Sequence, residues 1–268
     1  MPDRYDKVHA RGQRMIFKRA VAKLRAQDWM AIAIELVVVT LGVLIALAAQ
    51  QWAEERSWSR KVSSYRATLR DELGEHYGYA VEYRVVYPCL QAQVDRLRDR
   101  VRSTVIMLEP APIHHEVDPI KDDYVFRMPT KYYPTDAWQE ALNDGVVQRL
   151  DPAVRRQFAG HYASLTNLAA MNELNGEAER QLMVLAQPLR LDPSVQYSII
   201  GELTRLSGRL QWLDTQNGQV IDYIEQIGMV PSAEQARAVT QRYGTYRFCE
   251  AQGLPMRSFK DAMQAIPN

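Results

Sequence analysis

The feature that most constrains this chain is an apolar run near its N-terminus, residues 29–52. It contains a single charged residue, Glu35. A helix of about 24 residues is about 36 Å long, which is enough to cross the roughly 30 Å hydrocarbon core of a membrane. Trp29 and Trp52 stand at the two ends, where interfacial aromatic residues are enriched. The run therefore predicts a transmembrane helix.

Two other interpretations of this run remain open from the sequence. A buried helix of a soluble protein can be as apolar, although such helices seldom extend so far without a polar face. A cleaved signal peptide would explain the small-x-small sequence Ala46-Leu47-Ala48. The 28 residues that precede the run are many for the basic region of a signal peptide. We therefore expect an uncleaved anchor.

The residues before the run are basic and predict a short amphipathic helix. Phe17, Val21 and Leu24 share one helical face, and the basic side chains point elsewhere. Those basic residues are Lys18, Arg19, Lys23 and Arg25. Such a helix can lie on an anionic leaflet, or it can be solvated without a special role. The positive-inside rule places the N-terminus in the cytoplasm and the chain after the run outside it.

One face of the predicted transmembrane helix carries a stripe of mostly small residues. Its members follow a four-three spacing and are Glu35, Val39, Gly42, Ala46 and Ala49. Small residues let a second helix approach closely, so the stripe predicts a contact with another copy of the chain or with a partner membrane protein. Plain lipid exposure is the alternative, because Glu35 lies about 9 Å from the helix end, where a carboxylate still reaches headgroups.

The order of residues in this region resembles the N-terminal signature of a family of single-pass bacterial membrane proteins of unknown function. The matching positions are Glu35, Gly42, Ala46, Leu47, Gln50, Gln51, Trp52, Glu54, Glu55 and Arg56. A later stretch, AWQEALNDGVVQRLD at residues 137–151, is similar to a segment of proteobacterial relatives. The resemblance implies a bacterial inner-membrane anchor with a mostly helical domain, and it transfers no activity.

Helical patterns continue beyond the run. Apolar residues at helical spacing predict that the membrane helix extends as a stalk towards Pro88, with a break near Gly74 or Gly78 as the alternative. A second helix is predicted after Pro88, and residues 104–135 are predicted to form a long loop with at most short strands.

Capping signals define the remaining helices. Asp151 and Asp192 each precede a proline, which predicts two N-caps that open long helices ending near residues 186 and 227. A shorter helix opens near Asp136, and a last helix is predicted over residues 232–251.

The predicted fold is mostly α, with an extracytoplasmic antiparallel helical bundle carried on the membrane helix. The predicted segments are a basic cytoplasmic tail at 1–28, the membrane helix at 29–52, the stalk and second helix at 53–103, the loop at 104–135, and a bundle at 136–268 completed by 53–103.

Motifs for catalysis and for cofactor binding are not found in the sequence, so we expect neither an enzyme nor a cofactor. The balance of 33 basic against 32 acidic residues argues against a nucleic-acid partner. The candidate metal ligands are His114, His115, Glu116, Asp118, Asp122 and Asp123, together with the pair Glu72 and His76. Adjacent ligands on a loop are more often merely solvated, and an ordinary helix-surface contact is the favoured explanation of the pair, so no metal is predicted.

Two cysteines remain to be explained, Cys89 and Cys249. An exported domain meets an oxidising compartment, where the two can form one disulfide, and the alternative is two separate buried thiols. For function, the sequence favours a non-enzymatic membrane-anchored scaffold or accessory subunit of an envelope complex. The alternative is a ligand-sensing helical module that signals through the membrane helix.

Overall fold

The computed structural model describes residues 29–103, 106–110, 125–242 and 244–266. The chain divides into two compact units, Met1–Arg60 and Lys61–Asn268. The α-helices are α1 (Trp29–Val101), α2 (Asp136–Asn143), α3 (Pro152–Leu182), α4 (Pro193–Ile227), α5 (Ala233–Arg242), α6 (Gly244–Ala251) and α7 (Phe259–Ala262). Two short strands, β1 (Met107–Leu108) and β2 (Leu189–Arg190), pair antiparallel. The prediction of a mostly α fold is confirmed.

In the first unit, the described residues belong to α1, and the side chains of residues 32–57 are exposed. The most apolar 18-residue window of this helix has a mean hydropathy of 2.7, and none of that window is buried. By length and composition, α1 is a candidate membrane span, and it is the one such helix in the described part of the chain.

α1 continues through Pro88, so the prediction of a separate helix after this proline is wrong. Proline lacks an amide hydrogen, and its ring crowds the preceding turn. In that turn, the backbone N–H of Arg257 donates to the carbonyl of Val85 at 2.9 Å. Cys89 and Leu90, which follow the proline, are fully buried. Tertiary contacts on both sides of Pro88 therefore offset what the proline costs the helix.

The second unit is built around α1, because residues 76–86 of this helix are buried on every side. Gln91 donates to the carbonyl of Ser207 at 3.1 Å, and the Ser207 hydroxyl donates back to Gln91 at 2.8 Å. Farther along, Gln196 donates to the carbonyl of Val101 at 3.0 Å. Residue numbers increase along α1 as they decrease along α4, so these two helices are antiparallel.

The other long helices do not all alternate in direction. Arg209 on α4 donates to the carbonyl of Leu174 on α3, and Gly160 packs on Tyr223, so α3 and α4 are antiparallel. In contrast, Thr240 on α5 donates to the carbonyl of Gly78 at 3.4 Å, and Pro231, just before α5, lies beside Gly74. Residue numbers increase together in these two contacts, so α5 runs in the same direction as α1. A short turn reverses the chain after α4, which itself opposes α1. Antiparallel packing was predicted for long helices joined by short connections, and the pair α3 and α4 has it. α1 and α5 are not consecutive, and they run in the same direction.

The predicted caps are confirmed at both Leu-Asp-Pro sequences. Asp151 accepts from the backbone N–H of Ala153 at 2.8 Å, and Asp192 accepts from Ser194 at 2.8 Å. Each carboxylate thus satisfies an amide that the first turn of a helix leaves unpaired. α4 ends where predicted, at Gly228, whose φ of 77° lies in the left-handed region. α3 ends at Leu182, and a 3₁₀ turn, Met183–Ala186, completes the predicted helical stretch.

The last described residues, 254–266, cross α1 and α4. Arg257 donates both guanidinium ends to the carboxylate of Asp214, at 2.8 and 2.9 Å. Arg84 of α1 lies on the same carboxylate at 3.6 Å and also donates to the carbonyl of Gln264. One acidic side chain of α4 therefore ties the C-terminal segment to the central helix.

The contact between Gly218 and Ile266 provides a direct test of this packing. A Cβ at Gly218 would lie 2.6 Å from the Ile266 side chain, whereas a Cβ at Gly208 on the same helix meets nothing within 4 Å. We expect Gly218→Ala to lower the free energy of unfolding by about 1–3 kcal/mol through overpacking. Gly208→Ala should be neutral or stabilising by up to about 1 kcal/mol. Urea unfolding followed by circular dichroism compares the two, and equal midpoints would contradict the packing.

Candidate functional site

The stripe predicted for a membrane contact lies in the exposed part of α1. Glu35, Val39, Gly42, Ala46 and Ala49 are all exposed, and Val39 keeps 59% of its surface. A Cβ placed on Gly42 would meet no atom within 4 Å. This face is therefore free within the described chain, and its contact with a second helix stays a prediction.

The two tryptophans predicted for the membrane interface are also exposed, Trp29 by 75% and Trp52 by 64%. The guanidinium of Arg56 lies 5.2 Å from the centre of the Trp52 ring, within the range of a cation–π contact. An aromatic and a basic side chain thus occur together at one end of the run. The basic residues predicted for the other interface, Lys18, Arg19, Lys23 and Arg25, lie outside the described residues.

The predicted disulfide is present in the structure. Cys89 of α1 and Cys249 of α6 are bonded, their Cα atoms are 6.0 Å apart, and both residues are fully buried. The bridge joins two elements separated by 160 residues in the sequence. It fixes α6 to α1.

A buried carboxylate, Glu72 of α1, organises the start of α2. It accepts the backbone N–H of Ala137 at 2.9 Å and the hydroxyl of Tyr162. Burial raises the pKa of Glu72, while its bonds to Tyr162 and to the helix amides lower it. Thr135 makes no side-chain cap, so Glu72 caps this helix from a distance of 65 residues in the sequence. The indole of Trp138 stacks on Tyr162 at 4.9 Å and completes the contact.

Two fully buried histidines, His76 and His161, bond to one another next to Glu72. His76 Nε2 lies 2.8 Å from the carbonyl of Pro134, which can only accept, so this nitrogen carries the proton. His76 Nδ1 then accepts from His161 Nε2 at 2.9 Å. Burial lowers the pKa of His76 to about 4. Burial, together with the neighbouring His76, lowers the pKa of His161 well below its ordinary value. Both rings are neutral at neutral pH.

These contacts replace the prediction made for Glu72 and His76. Neither residue forms a surface contact, since Glu72 is 9% exposed and His76 is not exposed. Within the described ranges, no group of three or more His, Cys, Asp or Glu side chains has the geometry to hold a metal ion. The loop candidates His114, His115, Glu116, Asp118, Asp122 and Asp123 lie outside those ranges.

A buried ion pair links α1 to the irregular segment 125–135. Lys131 Nζ lies 2.5 Å from Glu82 Oε2, and the side chains are 7% and 0% exposed. The same ammonium lies 5.3 Å from the centre of the Tyr79 ring. Burial raises the pKa of Glu82 to about 7, although Lys131 opposes this shift.

A polar cavity of about 290 Å³ opens beside this ion pair. Its walls come from the segment 125–135, from α3 and from α6, and the lining side chains include Arg127, Lys131, Glu179 and Thr245. Both signs of charge thus face one half-enclosed space. A second groove of about 460 Å³ lies between α1 and α5, and its lining includes Arg70, Asp71, Glu75 and Arg242.

Sequence patterns did not identify the cavity or the histidine pair. His76 and His161 are 85 residues apart, and Arg127 and Glu179 belong to different elements, so no local spacing brings them together. One sequence signal for a buried polar region was available, the stretch HYGYAVEYRVV in α1. Charged residues interrupt its apolar pattern, and every position of the stretch is buried in the structure. Buried charges of this kind need partners from elsewhere in the fold.

Two surfaces of the described residues are therefore candidates for binding. They are the exposed apolar face of α1 and the polar cavity of the second unit. Comparison of the chain with protein-family models, with curated proteins and with solved structures gave no match.

Proposed function

We propose that this protein is a single-pass bacterial inner-membrane protein whose helical domain serves as a scaffold or accessory subunit of an envelope complex. The observation that carries the proposal is the surface of the first unit. Apolar side chains such as Leu36, Val38 and Ile45 remain 62–68% exposed. Soluble monomers rarely leave so large an apolar surface in water, whereas lipid covers it at no cost.

The proposed orientation puts the N-terminus in the cytoplasm and the bundle in the periplasm. The basic N-terminal residues support it through the positive-inside rule, and the buried Cys89–Cys249 disulfide supports it because such bonds persist in oxidising compartments. Protease added to spheroplasts should digest the bundle. Protection of the bundle until the inner membrane is opened would contradict the orientation.

The proposed scaffold role assigns the stripe on α1 to a partner helix. Glu35 and Gly42 share this face, and the absence of a side chain at Gly42 lets a second backbone approach. A carboxylate within the membrane is costly, which favours a polar partner on the second helix. The partner is either a second copy of the chain or another membrane protein. No catalytic role is part of the proposal.

We expect Gly42→Leu to weaken association of the protein in native membranes, because a bulky side chain at the centre of the stripe separates the two backbones. Interhelical contacts of this kind contribute on the order of 1 kcal/mol, so crosslinked complex should fall several-fold. Ala48→Leu is the matched control, since residue 48 lies on the far side of the helix from the stripe. Equal crosslinking yields from both variants and the wild type would remove the proposed contact.

A second function, ligand sensing, is favoured by one observation, the polar cavity between α3, α6 and the segment 125–135. Small-molecule sites are concave and carry a few convergent polar groups, as this cavity does.

A further inference from the structure

We propose that the stripe on α1 contacts a different membrane protein, whose helix carries acidic side chains just outside the membrane, and not a second copy of this chain. The inference deepens the proposed scaffold role and rests on it. It concerns the first unit alone, and the side chains that carry it are Arg56 and Arg60.

The four-three spacing of the stripe continues beyond the apolar run. After Ala49 it reaches Ala53, Arg56 and Arg60. These three residues belong to α1, and their side chains are exposed. A helix that winds along the stripe in a left-handed supercoil meets positions at this spacing, so the two arginines are the next side chains that it contacts.

The charged side chains just beyond the apolar run are divided between two sides of α1. Successive residues of a helix are rotated by about 100°, which puts Arg56 and Arg60 on the side of the stripe. Glu54 and Glu55 lie on the opposite side. Glu54 accepts a hydrogen bond from Gln50 at 2.9 Å. Within the described residues, neither arginine is paired with a carboxylate, so the side that carries the stripe is basic.

A second copy of the chain does not complement this basic side. Copies that insert in the same orientation pair in parallel, so each stripe position meets the same position of the other copy. Arg56 would face Arg56, and Arg60 would face Arg60. Guanidinium groups stay charged at physiological pH, and like charges opposed across an interface disfavour pairing. A helix with carboxylates at this level is attracted by the same two charges.

Anionic lipid headgroups are the alternative counter-charge, and they explain the arrangement less well. Headgroups surround a membrane helix, so they give no reason for both arginines to share the side of the stripe. Arg60 lies eight residues beyond Trp52, about 12 Å along the helix, whereas the headgroup layer is about 5–8 Å thick. The guanidinium of Arg56 lies 5.2 Å from the centre of the Trp52 ring, which borders the stripe.

The partner helix therefore has three expected features. A polar side chain faces Glu35, because a carboxyl group within the membrane needs a hydrogen-bonding partner. Small side chains lie opposite Gly42, where the two backbones approach. Aspartate or glutamate follows the membrane span of the partner, opposite Arg56 and Arg60.

The test is photo-crosslinking of the full-length protein in native membranes. Ser57 borders the stripe and is exposed, whereas Gln51 is exposed on the opposite side of the helix. A photoreactive residue at position 57 should form an adduct with another protein, and the same residue at position 51 should not. Mass spectrometry of the linked peptide should find aspartate or glutamate next to a membrane span of that protein.

Three double variants connect the adduct to the two arginines. Arg56→Gln/Arg60→Gln should lower the yield of the adduct about tenfold, because the partner loses both opposite charges. Arg56→Lys/Arg60→Lys keeps these charges and should retain most of the yield. Glu54→Gln/Glu55→Gln removes as many charges on the opposite side and should leave the yield unchanged. The basic N-terminal residues are intact in each variant, so the orientation is preserved.

Any of four results would overturn the inference. The peptide linked at position 57 belongs to this chain, it comes from another protein without carboxylates near its span, position 57 links lipid alone or nothing, or Arg56→Gln/Arg60→Gln gives as much adduct as the wild type.

Gly42→Leu distinguishes the failure of this inference from that of the scaffold contact. An adduct that is lost in Gly42→Leu and kept in Arg56→Gln/Arg60→Gln would leave the contact on the stripe in place and show that its partner is not acidic. An adduct that Gly42→Leu does not change would remove the contact on the stripe, and this inference with it.

Discussion

Removal of the Cys89–Cys249 bridge is expected to lower the free energy of unfolding by about 2–5 kcal/mol, the largest effect of any change considered for this chain. The bridge spans 160 residues, and the chain-entropy model gives about 5 kcal/mol for a loop of that length. Typical domains are stable by about 5–15 kcal/mol, so the loss is a large share of the total. The C-terminal helices are expected to detach first, because the bridge connects α6 to α1.

The measurement compares three samples by urea unfolding in detergent: the oxidised wild type, the wild type reduced with dithiothreitol, and Cys89→Ala/Cys249→Ala. Reduction breaks the cross-link without changing a side chain, so it separates the bridge from the packing of the two sulfurs. Both altered samples should unfold at lower urea than the oxidised protein. Identical midpoints before and after reduction would show that the bridge does not stabilise the fold.

Acidification is expected to destabilise the bundle through His76 and His161. The ordinary pKa of histidine is 6.5, and burial lowers that of His76 to about 4 and that of His161 well below 6.5. Below pH 6.5 the two histidines bind protons in the unfolded chain but stay neutral in the folded chain. The free energy of unfolding therefore falls as the pH falls. Each histidine contributes about 2 kcal/mol between pH 7.5 and pH 5, and the pair contributes at most about 4 kcal/mol.

Buried carboxyl groups act in the opposite direction. The pKa of Glu82 is raised to about 7 and that of Glu72 is also raised, so their contribution to stability falls as the pH rises through this range. The phenols that face the pair, Tyr133 and Tyr162, have raised pKa values and do not titrate there. The pH profile of the wild-type stability therefore combines the histidine contribution with the opposite contribution of the carboxyl groups.

The double variant His76→Gln/His161→Gln separates the histidine contribution from the carboxyl contribution. Between pH 7.5 and pH 5, the unfolding free energy of the variant should change less than that of the wild type, and the difference between the two changes should be up to about 4 kcal/mol. The carboxyl contributions cancel in this difference because they are common to both proteins. Glutamine keeps a donor for the carbonyl of Pro134 without a titrating ring. Parallel profiles for the two proteins would mean that the histidines are not held neutral.

Local patterns in the sequence predicted those structural features that depend on neighbouring residues. Asp151 and Asp192 cap the helices that follow them, Gly228 ends α4, and apolar residues at helical spacing on α3 and α4, such as Phe158 and Leu206, are buried. Each of these depends on residues within one or two turns, so spacing alone suffices.

Pro88 shows where local reasoning fails. The proline predicts a helix end, yet α1 passes through it, because Arg257 donates to Val85 and the Cys89 bridge fixes the next residue. These partners are more than 150 residues away in the sequence. Their contacts offset the cost of a proline inside a helix, and this cost is all that the local sequence shows.

The sequence by itself determined a membrane-length apolar helix, a mostly helical chain, and two cysteines able to pair. Only the tertiary structure decided that α1 is the central helix of the second unit, that Glu72 caps α2, and that Arg127 and Glu179 face one cavity. The physical reason is the range of the interactions. Helix caps and periodic burial act between neighbours in sequence, whereas a buried charge must find its partner in space, and that partner is specified by the packing of the whole chain.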